Sequence, residues 1–301
     1  MGKVLTMKNL LILSIFLFVT GCQSPKYSRD EISSYKSEIE AWHKNRVDKL
    51  LSPTGWVNVR GLFWLKEGIN SFGSDASNDL VFPGGKINSK AGFFVLRDST
   101  VSMELLPDVT VTVNGKLFTS SLIYNPDSSR SKVLESGPLQ WFIIRRSKMI
   151  GVRLRDFESE KLKEFKGIEY YEPDLDWKLE AKLSVSLGKK VEIANVLGQT
   201  YLSPVKGTLA FNYMDKEYSL DAIDEDGKLF IIYGDATNGM ETYGSGRYLY
   251  ADMPTEGDVV LLDFNKSTNP PCAFTDFATC PLPPKQNILP IEVTAGEKDY
   301  H

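Results

Sequence analysis

The sequence carries two histidines, His43 and His301. A Ser-His-Asp relay would have to recruit one of them, and no Gly-x-Ser-x-Gly elbow supplies the serine. HExxH is absent, and a His-rich zinc site is ruled out, so no metal is assigned. Carboxylates, arginines, hydroxyls and backbone amides are left to do chemistry. They concentrate in Asp235-Ala236-Thr237-Asn238-Gly239 and in Glu241-Thr242-Tyr243-Gly244-Ser245-Gly246-Arg247. Glycines let backbone amides approach a ligand, and the arginine after them is a forked donor for carboxylate or phosphate. Asp235, Glu241, Asp263 and Glu297 offer an acid/base pair or a seat for a hard cation. Gly-x-Gly-Arg alone is a weak motif, and Arg247 ion-paired with Asp235 or Asp263 would simply hold two loops together. Arg153 and Asp156 allow a similar pair. Asp224 and Asp226, beside Gly227, read as a solvated turn.

Positioning these groups falls to a mainly β chain. Residues 28–51 read as one amphipathic helix. Ser28 and Glu31 fit a capping box, and Ile32, Tyr35, Ile39, Trp42, Val47 and Leu50 recur at helical spacing. Pro53-Thr54-Gly55 ends it, and the period then falls to two. Strands are expected over 56–65, 92–96, 101–105, 109–113, 141–145 and 150–155. A second set is expected over 177–185, 191–196, 207–213, 218–223, 229–234, 247–251 and 259–263. Asn114-Gly115 and Asp226-Gly227 signal hairpins. The charged run 161–166 reads as a solvated face or short helix at a boundary. The expected organisation is a signal peptide over 1–21, a tether over 22–27, a helix over 28–51, a β-sandwich-like part over 52–160 and a C-terminal antiparallel β part over 161–301. Trp56, Trp64 and Trp141 fall in strand patterns and read as core. In an antiparallel meander the end of 229–234, the start of 247–251 and the end of 259–263 share one edge. Arg247 is therefore expected at a pocket with Asp235 or Asp263 as its neighbour.

Residues 263–290 break the pattern. Prolines 270, 271, 281, 283, 284 and 290 remove backbone donors and forbid a central strand. Yet Phe264, Phe274, Phe277, Leu282 and Leu289 are too apolar for a disordered linker. A long ordered stretch of this kind is either functional or a wrap over a sheet edge. It holds Cys272 and Cys280, an even pair that reads as a candidate disulfide in an oxidising compartment.

That compartment is suggested by the first residues. Lys3 and Lys8 precede an apolar run from Leu10 to Val19, too short to span a bilayer and suited to a cleavable signal peptide. Val19-Thr20-Gly21-Cys22 resembles the lipobox of bacterial lipoproteins, which places a lipid on Cys22. Nothing after Val19 is apolar for long enough to cross a membrane, so the lipid is the expected membrane anchor. The formal charge of −4, made more negative by loss of Lys3 and Lys8, and the lack of a long basic run argue against nucleic acid as a partner.

Motifs along nearly all of the mature chain are similar to domain-of-unknown-function family 1684. They include Asp263-Phe264-Asn265, Asn269-Pro270-Pro271-Cys272-Ala273-Phe274, Thr279-Cys280-Pro281-Leu282-Pro283-Pro284 and Ala295-Gly296-Glu297. Upstream, Gly61-Leu62-Phe63-Trp64-Leu65, Asn70-Ser71-Phe72-Gly73, Arg153 with Asp156, and Thr242-Tyr243-Gly244-x-Gly246-Arg247 match as well. The resemblance implies a rough fold and no established activity. Within it, Ser71-Phe72-Gly73-Ser74, Asn78-Asp79-Leu80, Gly92-Phe93-Phe94 and Val113-Asn114-Gly115 resemble a degenerate forkhead-associated β-sandwich. The arginine and histidine that read phosphothreonine in such domains are missing.

The expected function is therefore an envelope lipoprotein that binds a small polar or anionic ligand near Arg247. The ligand candidates are Asp235, Thr237, Glu241, Tyr243, Gly244, Gly246, Arg247, Asp263, Asn265, Asn269 and Glu297, with no cofactor. A hydrolase using paired carboxylates and a structural or interaction protein are the alternatives. Cys22→Ser should abolish lipid attachment and release the protein from the membrane fraction; unchanged fractionation with no loss of labelled lipid would contradict the anchor.

Overall fold

The computed structural model describes residues 26–128 and 131–300, so the expected signal peptide, the expected lipid site Cys22 and His301 lie outside the described residues. Helix α1 spans Arg29–Leu51. Its start is the expected capping box: Ser28 Oγ accepts the Glu31 N–H at 3.2 Å, and the Glu31 carboxylate accepts the Ser28 N–H at 2.7 Å. The helix buries Tyr35, Ile39, His43 and Leu50. Ile32 from the same apolar stripe stays exposed.

The next part is a two-sheet sandwich. Its strands are β1 (Val59–Trp64), β2 (Gly68–Gly73), β3 (Leu80–Val81), β4 (Gly92–Arg97), β5 (Thr100–Leu105), β6 (Thr112–Val113), β7 (Lys116–Leu117), β8 (Leu122–Tyr124), β9 (Leu134–Ser136), β10 (Leu139–Arg146) and β11 (Met149–Asp156). One sheet runs β1-β11-β10-β9-β6-β7 and the other β3-β2-β4-β5-β8. Alternate residues of the two inner faces meet in one core. Fully buried Trp141 from the first sheet packs edge-on against Phe82, with ring centroids 5.5 Å apart, and against Phe72 of the second sheet. Asn114 and Gly115 carry φ of 50° and 74° and close the β6–β7 hairpin as their types require.

After α2 (Glu160–Glu164), a five-residue helix that buries nothing, the chain enters a second sheet system. Its strands are β12 (Lys178–Val185), β13 (Lys190–Ala194), β14 (Thr200–Tyr213), β15 (Lys216–Glu225), β16 (Lys228–Tyr233), β17 (Arg247–Asp252) and β18 (Val259–Asp263). The order is β17-β16-β15-β14-β12-β18, with β13 added to β14. β17 and β18 come together at the ends of that order, so the sheet curls into a nearly closed barrel. Trp177, Phe211, Leu220, Leu249, Leu262 and Phe264 fill it. The mainly β architecture with one long N-terminal helix is as the sequence predicts.

α1 docks on the barrel half, not on the sandwich that follows it in sequence. Tyr35 donates to Asp263 Oδ1 at 2.6 Å, and Asn265 Nδ2 donates to the Tyr35 hydroxyl at 2.8 Å. His43 stacks flat on Tyr170 at 3.7 Å, and burial lowers its pKa to about 4. Among the described residues no helix is long and apolar enough to cross a membrane.

Candidate functional site

The residues after β18 form a strap without strands. Its backbone polar groups are nonetheless committed. The Leu289 N–H donates to the Gly234 carbonyl and the Gly234 N–H to the Asn287 carbonyl, at 2.8 and 3.0 Å. The buried Asn287 side chain knits strap to sheet. It donates to the carbonyls of Asp221 and Ile232 and accepts the Asp221 N–H. Near the chain end, the Glu297 N–H donates to the Ser267 carbonyl, folding the strap back on itself.

Arg247 lies under this strap. Its side chain has no exposed surface. Nη2 donates to Asp235 Oδ2 and to the Val293 carbonyl, both at 2.8 Å, and Nη1 donates to the Ala295 carbonyl. Asp235 is saturated in turn: its Oδ1 accepts the Thr237 N–H at 2.9 Å and the Thr237 hydroxyl at 2.5 Å. Thr237 and Thr242 hydroxyls lie 2.7 Å apart. The loop between β16 and β17 is therefore a closed hydrogen-bonded knot. Gly246, at φ 86°, is required for packing, since a Cβ there would collide with Pro283 and the Tyr233 carbonyl. Gly244 has no such constraint and is exposed.

The predicted convergence holds for two of its three members. Arg247 pairs across the ladder with Tyr233, which brings Asp235 to its side. β18, however, hydrogen-bonds to β12, and Asp263 serves the helix dock. Its Oδ2 accepts no hydrogen bond but lies 3.3 Å from Lys266 Nζ. Asn265 is fully engaged with Tyr35 and Asp174. Glu297, with no exposed surface, faces Arg46 Nε at 2.9 Å and the Asn269 N–H at 2.6 Å. Burial pushes its pKa up, against the pull of Arg46. Glu241 is exposed and accepts from the Tyr171 hydroxyl at 3.0 Å. Tyr243 is half-buried against a small apolar cluster around Phe274. The four carboxylates thus serve separate structural duties and do not form a facing pair.

Two further expectations are corrected. Arg153 and Asp156 do not pair: they lie three residues apart on β11, and Asp156 is taken by Lys86 Nζ at 2.6 Å. Cys272 and Cys280 are free thiols. The turn over Pro271–Ala273 aims the Cys272 N–H at Cys280 Sγ, 3.1 Å away. A separate thiol–thiol hydrogen bond holds the Cys272 thiol pKa down, whereas that bond and burial push Cys280 up.

The strap also walls a cleft of about 360 Å³ where α1, the sandwich and the barrel meet. Arg46 of α1, Arg146 at the end of β10, Trp56, Tyr248, Tyr250 and Asn269 line it. Arg46 reaches it over Glu297, giving Nη2 to the Asn269 carbonyl at 3.0 Å. Arg146 is exposed and bonded to Thr279 Oγ1 at 2.9 Å and to a carbonyl of its own strand. Behind the wall, the Arg153 guanidinium covers the Trp56 ring at 5.0 Å. Arg153 is 4 % exposed, its Nε has no hydrogen bond, and its charge is felt by both cysteines. Burial and the nearby Arg146 and Arg155 lower its pKa to about 10, which leaves it charged at neutral pH. Among the described residues neither Arg146 nor Arg153 has a carboxylate partner. Glu225 is the acidic residue in the lining, and it accepts from the Tyr250 hydroxyl. A wider groove of about 900 Å³ beside α2 is rimmed by exposed charges of both signs, including Glu160, Glu164 and Lys166, which water screens.

Of the candidate site residues read from the sequence, Asn269 and Cys280 line this cleft, and Cys272 is bonded to Cys280. Arg46, Trp56 and Arg146 come from three distant segments, and no local motif marks them. Trp56, expected in the core, is half-buried in the cleft wall.

Fold and site together define a β-sandwich joined to a strapped, nearly closed β-barrel, with an arginine-lined cleft between them. Residues 163–298 match the model of the family described as "Protein of unknown function (DUF1684)", and this part of the chain belongs to that family. Among solved structures it is similar to the uncharacterized protein from gene locus rrnAC0354 of Haloarcula marismortui, determined by solution NMR. The two are 33 % identical over 46 % of this chain and 80 % of that one, with a TM-score of 0.39. No curated protein matches the chain.

Removing Asp235 strands a charge with no solvent access. Asp235→Ala should cost about 3–5 kcal/mol in urea unfolding. Arg247→Lys should also destabilise, because an ammonium cannot span Asp235 and the strap carbonyls at once. Stabilities within about 0.5 kcal/mol of the parent, the range of ordinary surface changes, would show that the knot is not the constraint described here.

Proposed function

We propose that the protein is an envelope lipoprotein, tethered through Cys22, that holds a small anionic ligand in the cleft between α1, the sandwich and the barrel. The observation that carries this reading is Arg146 in the cleft lining with buried Arg153 behind it, neither of them ion-paired with a carboxylate among the described residues. A buried cation without a counter-charge is unfavourable, and an anion in the cleft would relieve it. Arg46 adds a third guanidinium, already oriented by Glu297. The ligand reading first attached to Arg247 moves to this neighbouring site, because Arg247 has no surface a ligand can touch. Binding is favoured over hydrolysis by the lining, which holds three cationic or aromatic walls and a single carboxylate, Glu225.

The anchor would keep the cleft at a membrane surface while the folded part stays in the aqueous phase.

The test is thermal shift of the mature protein against phosphate, sulfate, acetate and succinate, since a ligand bound to the native state raises Tm. At least one anion should raise Tm, and the shift should shrink with added sodium chloride. Arg146→Ala should reduce it while leaving the unliganded Tm nearly unchanged, because Arg146 is exposed. Equal shifts in parent and variant would remove the cleft as the binding site.

A further inference from the structure

Glu225, the last residue of β15, is exposed in the cleft lining and forms no ion pair among the described residues. The Tyr250 hydroxyl donates to its Oε2, which leaves Oε1 without a donor among those residues. Arg146 likewise has no carboxylate partner, and its Nη2 makes no hydrogen bond. Arg146 and Glu225, with Phe230, Thr279 and Pro281, also line a second cavity of about 390 Å³, so the two cavities adjoin along these residues. Two opposite charges therefore border the same space without pairing to each other. Tyr201, half-exposed in the second cavity, lies within reach of both. Burial raises its pKa, Arg146 pulls it down and Glu225 pushes it up. Tyr250 is set between Glu225 and Arg46: burial and the bond to Glu225 raise its pKa, against the pull of Arg46. A simple anion held at Arg146 is repelled by Glu225 across this space. A ligand that carries a cation beside its anion turns that repulsion into attraction. The rings favour the same occupant. Tyr250 lies flat on Phe230, with centroids 4.6 Å apart at 15°, and remains 44 % exposed. An ammonium group is attracted to the face of such a ring. The cleft volume of about 360 Å³ falls at the small end of ligand sites.

We infer that the cleft takes a small zwitterion, an amino acid, with its carboxylate between Arg46 and Arg146 and its ammonium group at Glu225. The inference rests on the anion-binding reading above and assigns its ligand class.

Calorimetric titration of the mature protein with 4-aminobutyrate, butyrate, glycine, acetate, butylamine and inorganic phosphate separates the two. 4-Aminobutyrate should bind about two- to fivefold tighter than butyrate, or glycine tighter than acetate by the same factor, as one added solvent-exposed ion pair implies. Butylamine should bind more weakly than either amino acid. Which pair shows the gain tells an ω-amino acid from an α-amino acid. Glu225→Gln should erase the gain while leaving the simple carboxylates bound at least as tightly as before. Because Glu225 is exposed, that variant should keep the parent Tm. Simple carboxylates binding as tightly as the amino acids, a gain that survives Glu225→Gln, or binding of phosphate alone would overturn the ligand class and leave anion binding standing. No binding by any anion would overturn both.

Discussion

A single buried guanidinium ties this protein together. Arg247 sits at the first position of a barrel strand, yet its partners come from the loop before it and from the last residues of the chain. Burying a charge is unfavourable unless it is paired and hydrogen-bonded on all sides. Both terminal nitrogens of Arg247 meet that condition, with Nε alone left unbonded, only when the strap lies across the barrel with Val293, Ala295 and Glu297 in place. The ionic pair therefore specifies where an otherwise irregular, proline-rich segment must run. Once that course is set, the strap delivers Glu297 to Arg46 and Asn269 to the cleft.

The same logic explains why the cleft lies at a junction. α1 is fastened to the barrel by the Tyr35, Asp263 and Asn265 cluster, so Arg46, about three turns further along the same face, arrives beside the strap. The sandwich contributes Arg146 from the exposed end of β10, whose bond to Thr279 links it to the strap as well. Each of the three parts supplies one cationic or aromatic wall, and none builds the site alone. Sites formed in this way are concave and lined by few polar groups with fixed directions, as ligand pockets usually are.

Much of the fold was legible because its signals are local. The capping box of α1, the period-two runs and the Asn114-Gly115 and Asp226-Gly227 turns all lie within a few residues of the structure they specify. Turns without that chemistry were harder: Met214 and Asp215 adopt φ of 48° and 60° between β14 and β15, although neither is a glycine. Short strands such as β3 and β9 are too brief to show a period. The candidate site was read in part. Asp235 and Arg247 were paired correctly from strand order, but their burial depends on a strap whose path no periodicity reveals. Asn269 was picked out within its motif, whereas Arg46, Trp56 and Arg146 are joined only by tertiary packing. Asp263 went astray because the meander argument assumed β18 beside β17 by hydrogen bonding, while the ladder places it on β12.

The central claim is that an anion belongs between Arg46 and Arg146. It can be examined most directly by soaking crystals of the mature protein in tungstate at millimolar concentration and locating tungsten by anomalous scattering. The account predicts the strongest peak inside the cleft, within hydrogen-bonding reach of both guanidinium groups. Tungsten found at other surface sites, with the cleft empty at the same occupancy threshold, would contradict it.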